Sequence, residues 1–142
     1  MKMTENFKII GSFIKDMSSE TPDAQTFIFV RDKISKYQLK IDINSKAVKN
    51  GIIEVNTVLR FSDQPEILKK SHFEIVYTSI VKVDEKVSDK KEMEKIILCD
   101  VPNKIYPNLE RIFLNLLTDS GYPGIKFEKK IDFIELYKQR SN

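Results

Sequence analysis

One cysteine, one histidine, four glycines and no tryptophan occur in 142 residues. Each shortage excludes something. The lone Cys99 cannot close an internal disulfide, and such sparing use of cysteine points to a reducing compartment, so the cytoplasm is the expected location. The lone His72 cannot seed a histidine metal cluster, and one cysteine cannot build a cysteine-rich zinc site, so no metal and no other cofactor is expected. Four glycines supply few phosphate-cradling loops; there is no Gly-x-Gly-x-x-Gly, no Walker loop and no serine elbow. Nowhere do 18 apolar residues run together, so membrane insertion is not expected. The opening MKMTENFKII has no long apolar run behind its lysines and does not read as a signal peptide.

Nor is a catalytic group assigned, and the chain is read as a non-enzyme. His72 reads as a strand-edge surface residue. Cys99 has Asp100 beside it, which raises a thiol pKa when the two are close, and nothing in the spacing supports a Cys99–His72 pair. The formal charge is +3, with basic residues scattered among 21 acidic ones. That scatter, and only four arginines, weigh against nucleic acid as a partner.

What is there suffices for one domain, residues 1–142, with 41% apolar and 32% charged residues. FKIIGSFI at 7–14 reads as a first strand, with Phe7, Ile9, Gly11 and Phe13 on one face and a bulge suggested at Gly11. DMSSETPD at 16–23 is turn-rich, and TFIFV at 26–30 is a strand or a buried loop. YQLKIDIN at 37–44 alternates strictly, placing Tyr37, Leu39, Ile41 and Ile43 on one face and Gln38, Lys40, Asp42 and Asn44 on the other. Asn50-Gly51 signals a tight turn, IIEVNTVLRF at 52–61 a third strand, SDQP at 62–65 a break, and HFEIVYTSIVKV at 72–83 a fourth strand.

Residues 84–95 read as a charged connection, and IILCD at 96–100 as a strand end or a helix lead-in. Ile105, Leu109, Ile112, Phe113 and Leu116 then recur at helical spacing. Pro107 lies near the start of that helix and should either bend it or mark where it begins. Gly121 is the expected C-terminal cap, and Asp132 the cap of a final helix over 132–139. The expected fold is α+β: a four-stranded antiparallel sheet, a long C-terminal helix and a short final helix. Leu114 and Leu117 fall outside the main helical stripe, more apolar surface than one chain hides comfortably, so a homo-oligomer is expected. Wide apolar grooves on such an assembly could hold extended, unfolded polypeptide.

Two blocks carry a resemblance. VPNKIYPNLERIFLNLLTDSGYPGIKFEKKIDFIELY at 101–137 is similar to a segment of the bacterial protein-export chaperone family SecB, through Pro102, Asn103, Pro107, Arg111, Gly121, Pro123, Phe133, Leu136 and Tyr137. FIKDMSSETPDA at 13–24 resembles a second family segment through Lys15, Asp16, Ser18, Glu20, Pro22 and Ala24. Together the blocks span nearly the whole chain.

The resemblance implies a homotetramer, a dimer of dimers with helices between two eight-stranded sheets. It implies a chaperone that holds unfolded preproteins in apolar grooves without ATP and delivers them to the SecA translocation motor. Asp16, Glu20 and Glu74 fall on acidic motor-docking positions. Phe73, Ile75 and Tyr77 fall in a region that controls dimer pairing, and Ile105, Leu109, Ile112, Phe113 and Leu116 would be buried between subunits. The chain departs from the family in its basic charge, in His72 where an apolar partner contact is usual, and in Thr78-Ser79 where a Gly-Gly pair is common. It ends at Asn142, so no extended tail for a further motor contact is expected. A SecB-like chaperone dedicated to a toxin–antitoxin system, or a non-chaperone protein or RNA interaction domain, are the alternatives.

Overall fold

The structure, a computed structural model, describes residues 6–63, 70–127 and 131–140. In chain order it contains β1 (Phe7–Glu20), α1 (Ala24–Arg31), β2 (Gln38–Lys49), β3 (Ile52–Ser62), β4 (His72–Val83), α2 (Lys90–Lys95), α3 (Val101–Asp119) and α4 (Phe133–Arg140). The break expected at Gln64 and Pro65, and the first five residues of the N-terminal segment read against a signal peptide, lie outside the described residues.

The four strands form one antiparallel sheet in the order β1-β4-β3-β2. Asn50 and Gly51, at φ 54 and 75, close the β2–β3 hairpin, as a two-residue primed turn requires. β1 does not follow that meander. It adds beside β4, so β1 and β2 are the two edges and the chain crosses from one to the other through α1.

Alternation gives the sheet an inner face under the helices and an outer face away from them. Leu39, Ile41, Leu59, Phe61, Phe73, Ile75 and Tyr77 point inward and meet Ile105, Leu109, Phe113 and Leu117 of α3 in one core. Phe73 is central to it: its ring lies 5.5 Å from that of Tyr122, 6.3 Å from Phe61 and 6.5 Å from Tyr37. A second cluster joins Phe7, Val55, Val81 and Val83 to Ile96 and Val101 at the other end of the sheet.

Several expectations are corrected here. β1 runs on through the turn-rich DMSSE to Glu20, because β4 supplies backbone partners as far as His72; ladder bonds do not depend on side-chain polarity. The bulge comes at Ile10, between the pairs Ile9–Val81 and Gly11–Ile80. One extra residue flips the alternation, so Gly11 and Phe13 share the outer face with Ile80 and Thr78 rather than the inner face with Ile9. TFIFV is helical. The Asp23 carboxylate accepts from the Thr26 N–H at 2.8 Å, and Thr26 and Val30, four apart, are the buried pair.

Part of the charged connection is also helical, α2, whose first turn is capped by Asp89. Of the two readings for 96–100, the helix lead-in is the observed one, as a π turn. α3 follows without interruption from Val101 and continues across Pro107, so the proline does not mark its start. Proline there removes the N–H that would bond the Asn103 carbonyl; Asn103 is exposed, so water can take that role.

The two expected caps are present. Glu135 N–H donates to the Asp132 carboxylate at 3.1 Å. At the end of α3 the Tyr122 N–H bonds the Leu117 carbonyl at 2.9 Å and the Gly121 N–H bonds the Thr118 carbonyl at 3.1 Å, the paired pattern of a Schellman ending. Gly121 sits at φ 104, and a Cβ there would fall 2.5 Å from Phe27 Cε1. Gly121→Ala is expected to lower unfolding free energy by about 1–3 kcal/mol, since an L-residue is strained at this φ and the ring must also move. Urea unfolding would measure it; an unchanged midpoint would mean that the turn relaxes freely.

Candidate functional site

α3 packs over β3 and β4 and leaves the inner face of β2 to other segments. Leu39 and Ile41 therefore form one wall of an open groove with Tyr37 and Phe61, and Ile125, Phe127 and Leu136 form the other. The groove encloses about 1080 Å³, at or above the upper range for small-molecule pockets. A smaller recess of about 240 Å³ adjoins it between Ile41, Ile43, Leu98 and Leu136. Ile41 and Leu136 line both, so the trough follows the β2 edge strand, whose outer backbone groups have no strand neighbour among the described residues. Its end is tied down by polar contacts. Ser71 N–H donates to the Tyr37 hydroxyl at 2.9 Å, and the Ser71 and Tyr122 hydroxyls lie 3.0 Å apart. Burial pushes the Tyr37 phenol above its ordinary pKa, so it stays neutral.

The outer face carries the three carboxylates assigned to motor docking. Register puts Asp16 beside Val76, Glu20 beside His72 and Glu74 between Ser18 and Arg60, so all three share that face. Their environments differ. Glu74 is approached on one oxygen by Arg60 Nε at 3.4 Å and on the other by His72 Nε2 at 3.3 Å. The Asp16 and Glu20 side chains have no ion pair or hydrogen bond among the described residues. Thr78 is fully buried in a polar row. Its hydroxyl donates to Asn56 Oδ1 at 2.6 Å, and Asn56 Nδ2 donates to Asn44 Oδ1 at 2.9 Å.

Of the eight residues assigned to subunit interfaces, Phe73, Ile75, Tyr77, Ile105, Leu109 and Phe113 are buried within the single chain, and only Ile112 and Leu116 are half-buried. Leu117, counted as excess apolar surface from the sequence, is fully buried, and Leu114 is half-buried. The exposed face of α3 is polar: Asn103, Asn108, Arg111, Asn115 and Thr118. Large apolar side chains are left exposed on β1, at Ile10, Phe13, Ile14 and Met17, and also at Ile28 and Phe29 of α1, Val48 of β2 and Ile134 and Leu136 of α4. Sequence periodicity could not find those on β1, because two bulges break the alternation and because exposure on an edge strand depends on what lies beside it.

Cys99 and His72 are on opposite sides of the sheet: Cys99 in the core under the inner face, His72 on the outer face. Burial first, and Asp100 second, push the Cys99 thiol pKa up, the opposite of what a nucleophile needs. Among the described residues no group of three or more His, Cys, Asp or Glu could hold a metal ion, and no described helix is long and apolar enough to cross a membrane.

This fold is that of a SecB-like chaperone: a Mycobacterium tuberculosis SecB-like chaperone, solved with a ChAD peptide from the HigA1 antitoxin, superposes with a TM-score of 0.66 at 10% identity, over 89% of this chain and 91% of that one. The family model described as "Preprotein translocase subunit SecB" matches residues 1–142, and the chain belongs to the SecB family of protein-export chaperones. A Pelagibacter ubique (strain HTCC1062) protein with the name "Putative protein-export protein SecB" is 91% identical over 140 residues, 99% of this chain and 100% of that one. The protein-export protein SecB of Roseobacter denitrificans is 29% identical, covering 92% of this chain and 78% of its own. That of Methylocella silvestris is 26% identical over 90% and 78%.

Proposed function

We propose that the chain exerts its export-chaperone role by holding unfolded preprotein segments in the trough along β2, without ATP, and by delivering them to a SecA-type translocation ATPase. The observation that carries this is the trough itself. Its walls carry aliphatic and aromatic side chains with Gln38, Lys126, Asp132 and Glu135 among them, and one wall is an edge strand that can also bond an extended backbone. The apolar side chains give affinity without reading a sequence, as a client range requires, and the edge backbone favours extended over folded segments. Asp16 and Glu20, on the outer face, offer charge to a basic motor surface while the trough stays occupied; such charges steer association rather than catalyse.

The working unit is a dimer of dimers. β1 is a 14-residue edge strand with four exposed large apolar side chains, a surface that calls for a cover, and a second copy adding there would continue the sheet to eight strands.

Native mass spectrometry of the protein with and without a slow-folding unfolded precursor tests the whole proposal. A species of four chains that gains one precursor is the expected result; a monomer that ignores the precursor would sink it. Leu136, 40% exposed on α4 and shared by both parts of the trough, gives a local test. Leu136→Glu is expected to weaken precursor binding about tenfold, the effect of losing roughly 1.4 kcal/mol, with the unfolding midpoint nearly unchanged. Wild-type affinity in a fluorescence titration would place the clients elsewhere.

A further inference from the structure

The chain has a net charge of +3, and lysines that are scattered in sequence are gathered by the fold. On the outer face, register sets Lys49 of β2 beside Ile52 of β3, Ile52 beside Lys82 of β4, and Lys82 beside Lys8 of β1. This row crosses all four strands near the Asn50-Gly51 hairpin and contains no carboxylate. Lys46 stands in the next row, beside Glu54. All four lysines are exposed, and none has an ion pair among the described residues. Glu54 is already engaged elsewhere: its Oε2 lies 3.3 Å from Lys15 Nζ and accepts from Asn56 Nδ2 at 3.0 Å. Past the end of β4, Asp84 accepts the Lys86 N–H at 2.9 Å, and Glu85 is offset in charge by Lys86 beside it. Glu74 lies at the other end of the same face, roughly 27 Å along β4 from Lys82.

We propose that this lysine row is an attachment surface for an anionic phospholipid bilayer, on which the chaperone rests without inserting. Three observations select that partner. The row lies on an open sheet face, roughly 14 Å across its four strands, a shape that fits a plane. Its cations are lysines throughout. Arginine, whose planar fork binds phosphate bidentately, is the residue of nucleic-acid recognition, whereas lysine is a point charge suited to a diffuse anionic layer. Val48, the bulged residue between Ala47 and Lys49, is 52% exposed, and such apolar surface is accepted at the boundary between headgroups and acyl chains. In a dimer of dimers with its helices between the sheets, the outer faces stay outermost, so the row remains accessible. It is separate from the trough, which opens on the inner face, and a loaded chaperone can therefore use it. Lys8 belongs to β1, the edge assigned above to a second copy; Lys46, Lys49 and Lys82 carry the proposal without it. The inference rests on neither the client reading nor the motor reading.

The test is flotation of the purified protein with phosphatidylcholine vesicles, with and without about one-third phosphatidylglycerol, in the absence of motor and client. At about 0.1 M salt the protein is expected to float with the anionic vesicles and to stay behind with pure phosphatidylcholine, and about 1 M salt is expected to release it. Lys46→Gln/Lys49→Gln/Lys82→Gln is expected to weaken binding about a hundredfold, roughly fivefold for each lysine removed. Arginine at the same three positions is expected to preserve it. Lys33→Gln/Lys36→Gln/Lys40→Gln removes the same charge from the other end of β2 and the segment before it, and is expected to stay within about threefold of wild type. Native masses and far-UV circular dichroism of all variants are checked first. Equal flotation with both kinds of vesicle, wild-type binding by the row variant, or an equal loss in the distal variant overturns the proposal. Tighter binding of a short single-stranded RNA, lost in the row variant, also overturns it and makes the row a nucleic-acid site.

Discussion

Phe73→Ala is expected to lower the unfolding free energy by about 3–5 kcal/mol, the range for deleting a buried aromatic ring. A typical domain has about 5–15 kcal/mol in all, so this one change should bring the chain close to its folding limit. The geometry behind the figure is specific. Phe73 has no exposed surface, it lies on the central strand β4 between Ser19 of β1 and Phe61 of β3, and its ring packs near three other aromatic rings, Tyr37 just before β2, Phe61 of β3 and Tyr122 in the loop after α3. Those neighbours come from distant parts of the chain and are held by strands and by the Ser71–Tyr122–Tyr37 hydrogen bonds, so they cannot collapse into the space. The resemblance places Phe73 where dimer pairing is controlled. A side chain with no surface can influence pairing only by altering the strand that carries it. Urea unfolding at dilutions where the chains are separate distinguishes the two. Loss of assembly with the single-chain midpoint unchanged would contradict the core role.

Charging the inner face of β1 should have the second large effect. Ile14 and Met17 pair with Tyr77 and Ile75 across β4, and each is 43% exposed in the single chain. If a second copy covers β1, both become buried, and a lysine there would lose its hydration. The desolvation cost is several kcal/mol per buried charge, more than a weakly held interface can supply. Ile14→Lys/Met17→Lys is therefore expected to run as a single chain of 16.6 kDa in native mass spectra, with its far-UV circular dichroism retained. A four-chain species persisting at micromolar concentration would show that β1 is not the contact.

Much of the fold was legible because two signals are local. Alternation over 37–44, 52–61 and 72–83, joined by Asn50-Gly51, matches β2, β3 and β4. Helical spacing with Gly121 and Asp132 at the ends matches α3 and the start of α4. The misreadings are also physical. TFIFV is too short for periodicity to separate strand from helix, and the cap at Asp23 together with the burial of Val30 decides it. DMSSE has no apolar pattern, and only the partner strand makes it β. Asp16, Glu20 and Glu74 were legible as acidic positions, but that Glu74 is already paired depends on Arg60, fourteen residues away in sequence and adjacent only across the β3–β4 register.

By itself the amino-acid sequence determined strands β2, β3 and β4, helix α3 and the start of α4, the family and the absence of any histidine or cysteine cluster, because caps, turns and periodicity act over a few residues and composition is independent of folding. Only the tertiary structure decided which apolar residues are spent in the single chain and which remain at its surface. Leu117, which looked surplus, turned out to be fully buried, while β1 turned out to expose Ile14 and Met17. Burial is a property of what lies opposite a side chain, and what lies opposite is set by strand order, bulges and helix placement together.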